Sequence, residues 1–487
     1  MILAAYAVAS AMALAFISIF KWNSITRVFS VLHGAAYLGI SISALALGKI
    51  PTYYFGGRYL FIDRFGIYEI MIASAVFLFA AVYAMPHSKE LVQSGELSEK
   101  NFKFAYLAFN ALLAFVVAAF ASNSLALFWI FAELSTASAA LLIAVINSRK
   151  NIDAALKYVF VNSTAMVFSF IGIILIFLAS EHSLGHGTLN WDELAAGSGL
   201  FEPTLLAVAF VFLFIGFAAK SGIAPFHTAL PHAYSKAPSA TGALLSAVVA
   251  NIGIYGIIRA YSILGGNSAR LSISPILIAF GVGSVSLAAL SMLQQTSTKK
   301  LIAFSSVEHM GLVLIGIGVG TQQALFWVLF YIMAHSLTKA LLFFSSGVLH
   351  RQYKTNKFEK MPDALKFQPL ASAGLIIGSC AIIGMPPFPI FLPKLMLLIQ
   401  INGVSTWLLA AVLLLLVIAS VSFVLLLSKL FSNVSTGEAG QQLKRFEVPF
   451  GMKFSIVALI AIIIILGVFL PDALKNFISA IVRELRW

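Results

Sequence analysis

Long apolar runs separated by short polar gaps fill most of this 487-residue chain. Roughly fourteen of the runs approach the length of about 20 residues that an α-helix needs to cross a bilayer. Strict alternation of apolar and polar positions, which is typical of membrane β-barrels, is absent from these runs. Since backbone polar groups in lipid must be paired within the protein, the pattern predicts an all-α integral membrane protein of about 14 transmembrane helices.

The apolar runs predict the positions of the individual helices. They lie near 2–20, 25–47, 65–85, 102–121, 124–146, 155–179, 204–235, 237–263, 272–293, 300–319, 322–349, 370–402, 404–430 and 451–470. The first run lacks a preceding basic segment and is followed at once by further runs, so we interpret it as a membrane helix rather than a secretory signal. The final stretch PDALKNFISAIVRELRW, with Lys475, Arg483 and Arg486, predicts an amphipathic helix lying along the interface.

Two of the predicted helices contain segments that cannot continue as regular helix. The seventh contains AKSGIAPFHTALPHAY and the twelfth contains GMPPFPIFLPK. Proline removes a backbone donor and clashes with the preceding turn, so both helices must break. Irregular backbone at membrane depth is tolerated only inside protein or beside a water-filled cavity. The two breaks therefore indicate functional positions.

The spacing of the breaks predicts an internal repeat. They are five spans apart, and since five is odd, equivalent helices would run in opposite directions, as in transporters built from inverted repeats. The predicted organisation is 1–101 for helices 1–3, 102–263 for the first five-helix repeat and 272–430 for the second. Residues 431–487 hold helix 14 and the amphipathic segment.

The charge of the chain is small in amount but uneven in distribution. Only 10% of residues are charged, against 60% hydrophobic, and the formal net charge is +13. Twenty Lys and Arg residues fall in one set of alternate loops, and four fall in the other: Lys49, Arg58, Arg64 and Arg270. By the positive-inside rule the basic set is cytoplasmic, which places both termini outside the cell membrane. The basic excess is thus an orientation signal and argues against nucleic-acid binding.

Several ionisable residues lie inside the predicted spans, where a charge facing lipid would cost about 2.5 to 3.5 kcal/mol. Those predicted to translocate protons or ions are Glu133, Lys220, His335, Lys339 and Lys394, and further candidates for the pathway are Glu308, His309, His227, His232 and Asn251. Such residues commonly mark ion pathways and proton relays. Lys and His can gain and lose protons near neutral pH in a suitable environment, whereas Arg cannot.

Most of these residues also have a structural interpretation, and Glu308, for example, could cap a cavity. His309 and His335 could be core histidines bonded to carbonyl groups, and Glu133 with Lys220 could be a structural ion pair. Lys394 could extend toward an interface. His227 and His232 could line water beside the break, and Glu69, near the start of its span, is expected to be interfacial.

Five segments carry a family resemblance over about residues 60 to 430. FAELS, AKSGIAPFHTALPHAYSKAPSATGALLSA, KKLIAFSSVEHMG, HSLTKALLFFSSG and GMPPFPIF resemble the antiporter-like subunits of respiratory complex I. They are still more similar to the F-type subunit of hydrogenase-4 and the D-type subunit of Mrp sodium/proton antiporters. The resemblance implies fourteen core helices with two inverted five-helix repeats that form half-channels.

The resemblance also implies roles for individual residues. Glu133 matches the family's glutamate on the fifth helix, and Lys220 matches the lysine on the broken seventh helix that acts as its partner. Lys339, beside His335, matches the central lysine, and Lys394 matches the ionisable group of the broken twelfth helix. His309 falls in a motif lining the second half. Many relatives carry Lys or His on the eighth helix, where this chain has Asn251, which cannot carry a proton charge.

The predicted function is an antiporter-like subunit of a larger membrane-bound respiratory complex, translocating protons or exchanging sodium for protons. The single cysteine, Cys380, excludes a cysteine-ligated cluster, and no cofactor, metal or catalytic constellation is expected in this chain. Partners are expected to be other membrane subunits and a peripheral redox arm. The alternatives are a self-sufficient secondary antiporter and a structural subunit without transport.

Overall fold

The computed structural model describes residues 2–19, 23–48, 50–54, 59–146, 148–432, 445–485 and 487. Five basic positions used in the loop count or in the C-terminal segment lie outside the described residues: Lys21, Lys49, Arg58, Lys444 and Arg486. Within the described residues the chain is almost entirely helical.

The first ten helices are α1 (Ile2–Ile19), α2 (Asn23–Ala46), α3 (Arg64–Gln93), α4 (Glu99–Phe120), α5 (Leu125–Ala144), α6 (Arg149–Leu184), α7 (Trp191–Ala196), α8 (Pro203–Ser221), α9 (Leu230–Lys236) and α10 (Ser239–Leu244). The remaining ten are α11 (Ala250–Ile263), α12 (Ala269–Leu293), α13 (Thr298–Val319), α14 (Gln322–Tyr353), α15 (Ala364–Phe367), α16 (Pro369–Ile383), α17 (Phe391–Val404), α18 (Thr406–Ser432), α19 (Phe450–Val468) and α20 (Asp472–Glu484). Two short strands, β1 (Thr52–Tyr54) and β2 (Leu60–Ile62), form an antiparallel ribbon before α3, with Tyr53 opposite Phe61.

Thirteen helical segments among the described residues are long and apolar enough to cross a membrane. Two shorter apolar helices, α16 and α17, follow each other where the broken twelfth span was predicted. The prediction of an all-α membrane protein with about fourteen spans is therefore confirmed, and the inverted repeat stays a prediction.

Both predicted breaks are present. Gly222 ends α8 in the left-handed region, at φ 79°, and Gly384 ends α16 in the same way, at φ 87°. Glycine suits both positions because it has no Cβ to clash in that conformation. Lys220 consequently lies in the last turn of one half-helix, and Lys394 lies in the first turn of another.

Two boundaries differ from the prediction for identifiable reasons. The third helix was expected to end before Pro86 but continues to Gln93, and Pro86 lies against Gly451 of α19. The sixth helix begins at Arg149 and ends at Leu184, beyond its apolar run at both ends, because Ser148 caps its start and Gly185 ends it.

The interior of the bundle is formed by α3, α10, α11, α13 and α14. The segment from Ser239 to Ile263 is buried along its whole length, and α13 is nearly so. A π-turn at Leu245–Val249 joins α10 to α11, within what the sequence predicted as one continuous helix. The amphipathic α20 packs on α3 and α14 through the buried Ile478, Ile481 and Val482.

Candidate ion-translocation site

Lys220 is held by the fifth span. Its side chain is buried, and its ammonium donates hydrogen bonds to the carbonyl oxygen of Ala132, to Ser135 Oγ at 2.8 Å and to Thr136 Oγ1 at 2.5 Å. Ser135 Oγ in turn donates to the Ala132 carbonyl at 2.6 Å. We call these three oxygens of α5 the first lysine cradle. They replace the water that an ammonium group loses on burial.

Glu133 follows Ala132 directly but faces another helix. Its Oε2 accepts a hydrogen bond from Ser163 Oγ of α6 at 2.8 Å, and its side chain is half-buried. No ion pair joins Glu133 to Lys220 in the described part of the chain. Successive residues of an α-helix are rotated by about 100° around its axis, so neighbouring side chains contact different partners. The described residues therefore contain no direct ion pair between Glu133 and Lys220, and the structural interpretation of the two as a pair stays a hypothesis.

Lys339 lies in a cradle of the same kind on α13. Its fully buried Nζ donates to the Ile302 carbonyl oxygen at 2.6 Å and to Ser305 Oγ at 2.5 Å. Ser305 Oγ donates to the Ile302 carbonyl at 3.0 Å. This second lysine cradle repeats the first in its spacing, with a carbonyl at one position and a serine three residues later. It contains two oxygens instead of three.

Glu308 of α13 contacts Lys394 of α17, beside the break in the predicted twelfth span, and its own neighbour His309. Its Oε1 lies 3.6 Å from Lys394 Nζ, and its Oε2 lies 3.2 Å from His309 Nε2. Lys394 Nζ also donates to the carbonyl oxygen of Ile383, the last residue of α16, at 3.1 Å. Lys394 is only 8% exposed and points inward. The alternative that it extends toward an interface is therefore wrong.

Two histidines connect Glu308 to Lys339. His309 Nδ1 is hydrogen bonded to the Tyr331 hydroxyl, and the ring centroids of His309 and His335 lie 5.3 Å apart. His335 is one turn before Lys339 on α14, so the two share a helix face. Neither ring nitrogen of His335 has a hydrogen-bond partner in the described protein, unlike a core histidine bonded to a carbonyl group.

The structure thus brings five of the predicted residues into one buried series, which we call the central row: Lys394, Glu308, His309, His335 and Lys339. Every member is buried, and every member can bind and release a proton. The row passes from the break of the twelfth span to the second lysine cradle on α13.

The two remaining histidines have different surroundings. His227 is buried just after the break of the seventh span, with its ring centroid 6.5 Å from that of Phe304, which precedes Ser305 of the second lysine cradle. His232 is exposed. Among the described residues, no hydrogen bond or ring contact joins the His232 side chain to the central row, and its place in a pathway stays a prediction.

Asn251 contacts a carboxylate that sequence reasoning placed elsewhere. Its Nδ2 donates to Glu69 Oε2 and to Ser336 Oγ, both at 3.2 Å. Glu69 is only 1% exposed, so the expectation that it is interfacial is wrong. The start of its helix lies beneath α20 rather than at a free surface. The signal was present in the sequence as a single carboxylate within FGIYEIMIASAVFLFAAV.

A buried ion pair that the sequence did not predict fixes the start of the same helix. Asp63 caps α3 by accepting from the Gly66 amide at 2.8 Å, and it receives Arg259 Nη2 at 2.6 Å on each oxygen. Arg259 also donates to the Tyr255 hydroxyl at 2.8 Å. This pair joins the start of α3 to α11. Because Arg stays protonated, the pair is unsuited to proton transfer.

Together the fold and these residues define a polytopic membrane protein with two broken helices and a buried row of ionisable groups that begins at the second break. The family model described as NADH:quinone oxidoreductase/Mrp antiporter, transmembrane, matches residues 122–421, and the chain belongs to this family. The predicted superfamily is thereby confirmed.

Individual relatives agree with this assignment. The chain is 28% identical over 344 residues to a hydrogenase-4 component F homolog of Methylacidiphilum infernorum, covering 70% of this chain and 72% of that protein. It is 27% identical over 463 residues to the D-type subunit of a Na(+)/H(+) antiporter of Alkalihalophilus pseudofirmus, covering 92% and 89%. A chain in the structure of the membrane-bound sulfane sulfur reductase, an archaeal respiratory membrane complex, has the same fold, with a TM-score of 0.87, 23% identity and coverage of 99% and 96%.

Proposed function

We propose that this chain is a proton-translocating subunit, in which sodium can be the exchanged ion, of a multisubunit respiratory membrane complex. The observation that carries the proposal is the central row. Buried ionisable groups are costly in a membrane protein and are retained where they conduct ions. The side chains of the central row, which are Lys, Glu and His, can all bind and release a proton.

The residues take distinct roles in this proposal. Glu133 and Lys220 form a gate pair, in which Lys220 leaves the first lysine cradle when Glu133 turns toward it. Lys339 with His335 is the central relay, and His309 with Glu308 passes protons onward. Lys394 is the exit group at the second break. A lysine ammonium in such a site can release its proton when its acceptors move away, since burial opposes the charged form.

The proposed setting follows from the relatives. The similar proteins include a hydrogenase component and part of a sodium/proton antiporter, and the similar structure is a respiratory membrane complex. We propose that membrane subunits, together with a peripheral redox arm, are the partners of this chain. The protein would lie in the cell membrane with both termini outside, as the excess of basic residues on one side predicts.

The test uses the intact complex in sealed vesicles. Lys339→Ala should abolish coupled proton or sodium transport while leaving the complex assembled, because the second lysine cradle can then hold no proton carrier. Lys366→Ala is the matched control, since Lys366 is exposed on α15. Unchanged coupled transport in Lys339→Ala would contradict the proposal and favour a structural subunit. Ion flux through the chain alone in vesicles would instead favour a self-sufficient antiporter.

A further inference from the structure

Asn251 of α11 contacts Glu69 of α3, near the helices that carry Lys220 and the central row. α11, which carries Asn251, packs tightly on α8, since a side chain at Gly253 would collide with Ser221 Oγ and the Phe217 carbonyl. Ser221 directly follows Lys220. Asn251 is two residues before Gly253 and points away from that contact, toward α3 and α14. α11 therefore contacts α8, which carries Lys220, on one side and α14, which carries His335 and Lys339, on another.

On the far side of α11, Asn251 joins Glu69 to the helix of the central relay. Its amide donates to Glu69 Oε2 and to Ser336 Oγ, each at 3.2 Å. Ser336 is the neighbour of His335 and donates to the carbonyl of Ala247 at 2.8 Å. That carbonyl belongs to the π-turn that precedes α11, and such turns occur frequently at functional sites.

Of the three side chains in this contact, only that of Glu69 can bind and release a proton near neutral pH. The Asn251 amide and the Ser336 hydroxyl can orient a neighbour but do not ionise near neutral pH. Glu69 carries the only carboxylate of α3 between Asp63, which is held by Arg259, and Glu90 at the opposite end of the helix. Unlike Asp63, Glu69 has no ion pair among the described residues.

Unpartnered polar atoms surround the same contact. Asn251 Oδ1 and both ring nitrogens of His335 are buried without a hydrogen-bond partner in the described protein. Buried polar atoms of this kind are ordinarily satisfied by water, which can also carry protons between them.

We propose that Glu69 is a proton carrier between Lys220 and His335, held in place by Asn251. This rests on the proposed function and adds a residue to it. A carboxylate oxygen of Glu69 accepts the proton that arrives from the Lys220 side. The resulting acid releases the same proton toward His335, so the carboxylate is regenerated and no other bond changes. Asn251 and Ser336 are positioning residues for this transfer.

The experiment compares matched variants of the intact complex in sealed vesicles. Glu69→Gln keeps an oxygen that can accept from Asn251 but removes the titratable group, and it should lower coupled transport by at least about tenfold. Glu69→Asp should retain most of the transport. The exchange variant E69Q/N251D, which returns a carboxylate to the same contact with little change in volume, should recover part of it. Glu181→Gln, at an exposed position on α6, is the control.

Three results would overturn the inference. Transport in Glu69→Gln within about twofold of the unaltered complex, with Lys339→Ala inactive, would remove Glu69 from the pathway and leave the proposed function standing. A loss that neither Glu69→Asp nor the exchange variant repairs, with an unchanged pH profile of the residual transport, would show a structural role. If Lys339→Ala were also unaffected, the proposed function itself would fail.

A spectroscopic measurement covers the case in which Glu69→Gln does not assemble. Infrared difference spectra of the unaltered complex and of Glu69→Asp, recorded during turnover, should show a carboxylic acid band that shifts between the two. An identical band pattern in both samples would contradict proton binding at Glu69.

Discussion

The two lysine cradles are alike in geometry and unlike in surroundings. Each contains a helix carbonyl and a serine three residues later, at Ala132 and Ser135 on α5 and at Ile302 and Ser305 on α13, and the first also contains Thr136 Oγ1. The residue after the carbonyl is Glu133 in the first cradle and Ala303 in the second. The carboxylate of the second half is instead Glu308, which faces Lys394 and His309.

Because of this difference, the two lysines have different polar partners. Lys220 has three oxygen partners and a half-buried carboxylate nearby that contacts Ser163. Lys339 has two oxygen partners and continues through His335 and His309 to a buried carboxylate. Lys220 therefore lies near a carboxylate that it does not contact, whereas Lys339 is one end of the central row. Changes that remove charge should be far more damaging in the row.

The largest contrast is expected between Glu308→Gln and Glu133→Gln. Removing one partner of a buried charged pair typically costs about 3 to 5 kcal/mol, because the remaining charge is left uncompensated. Glu133 has no direct cation partner among the described residues, so its neutral variant should cost below about 1 kcal/mol. Thermal unfolding of the purified complex, followed by loss of assembled subunits, measures both. Equal losses of stability in Glu308→Gln and Glu133→Gln would contradict the distinction between the central row and the surroundings of the first lysine cradle.

A medium effect is expected from the cradle serines. Ser305→Ala leaves Lys339 with one oxygen partner, whereas Ser135→Ala leaves Lys220 with two. A hydrogen bond to a charged group contributes about 1.5 to 3 kcal/mol, so Ser305→Ala should lower coupled transport more than Ser135→Ala. Initial rates of ion uptake into vesicles measure the difference.

The same comparison can be sharpened by making the two cradles equal. The double variant S135A/T136V leaves Lys220 with the Ala132 carbonyl alone, as Ser305→Ala leaves Lys339 with the Ile302 carbonyl. Its transport should fall to a level near that of Ser305→Ala. If it remained at the level of Ser135→Ala, the number of oxygen partners would not be what distinguishes the halves.

The smallest effect is expected at α20, which belongs to neither half. Burial raises the pKa of Glu484 above its ordinary value and the nearby Asp63 raises it further, whereas Arg64, which is hydrogen bonded to Glu484, lowers it. An acid whose pKa is raised in the folded state binds its proton more tightly there than in the unfolded chain. The stability of α20 docking should therefore decrease as the pH rises from the ordinary pKa through the raised one, and stay lower above it.

Glu484→Gln should flatten this pH dependence and change stability by less than about 1 kcal/mol, because the ion pair is partly exposed. Hydrogen exchange of α20 at several pH values measures the effect, with ion transport expected to be unchanged. A loss of ion transport in Glu484→Gln would show that α20 contributes to transport.

Much of the fold was predictable from the sequence because lipid imposes a simple rule. A helix crossing a bilayer needs a long apolar run, and proline with glycine marks where it breaks, so the spans and both breaks could be located from local pattern. Ionisable residues stand out in such runs, and Glu308, His309, His335, Lys339 and Lys394 were all identified in this way. The π-turn at Leu245–Val249 has no local signal of that kind and was missed.

What the sequence determined by itself is which ionisable residues lie within the long apolar helices and where along each helix they fall. Only the tertiary structure decided their partners, because partners come from helices that are far apart in the chain. Glu133 turned out to contact Ser163 rather than Lys220, and Lys394 to point inward. Glu69 turned out to be buried against Asn251 because the protein itself covers the start of α3, which hydropathy along one helix does not reveal.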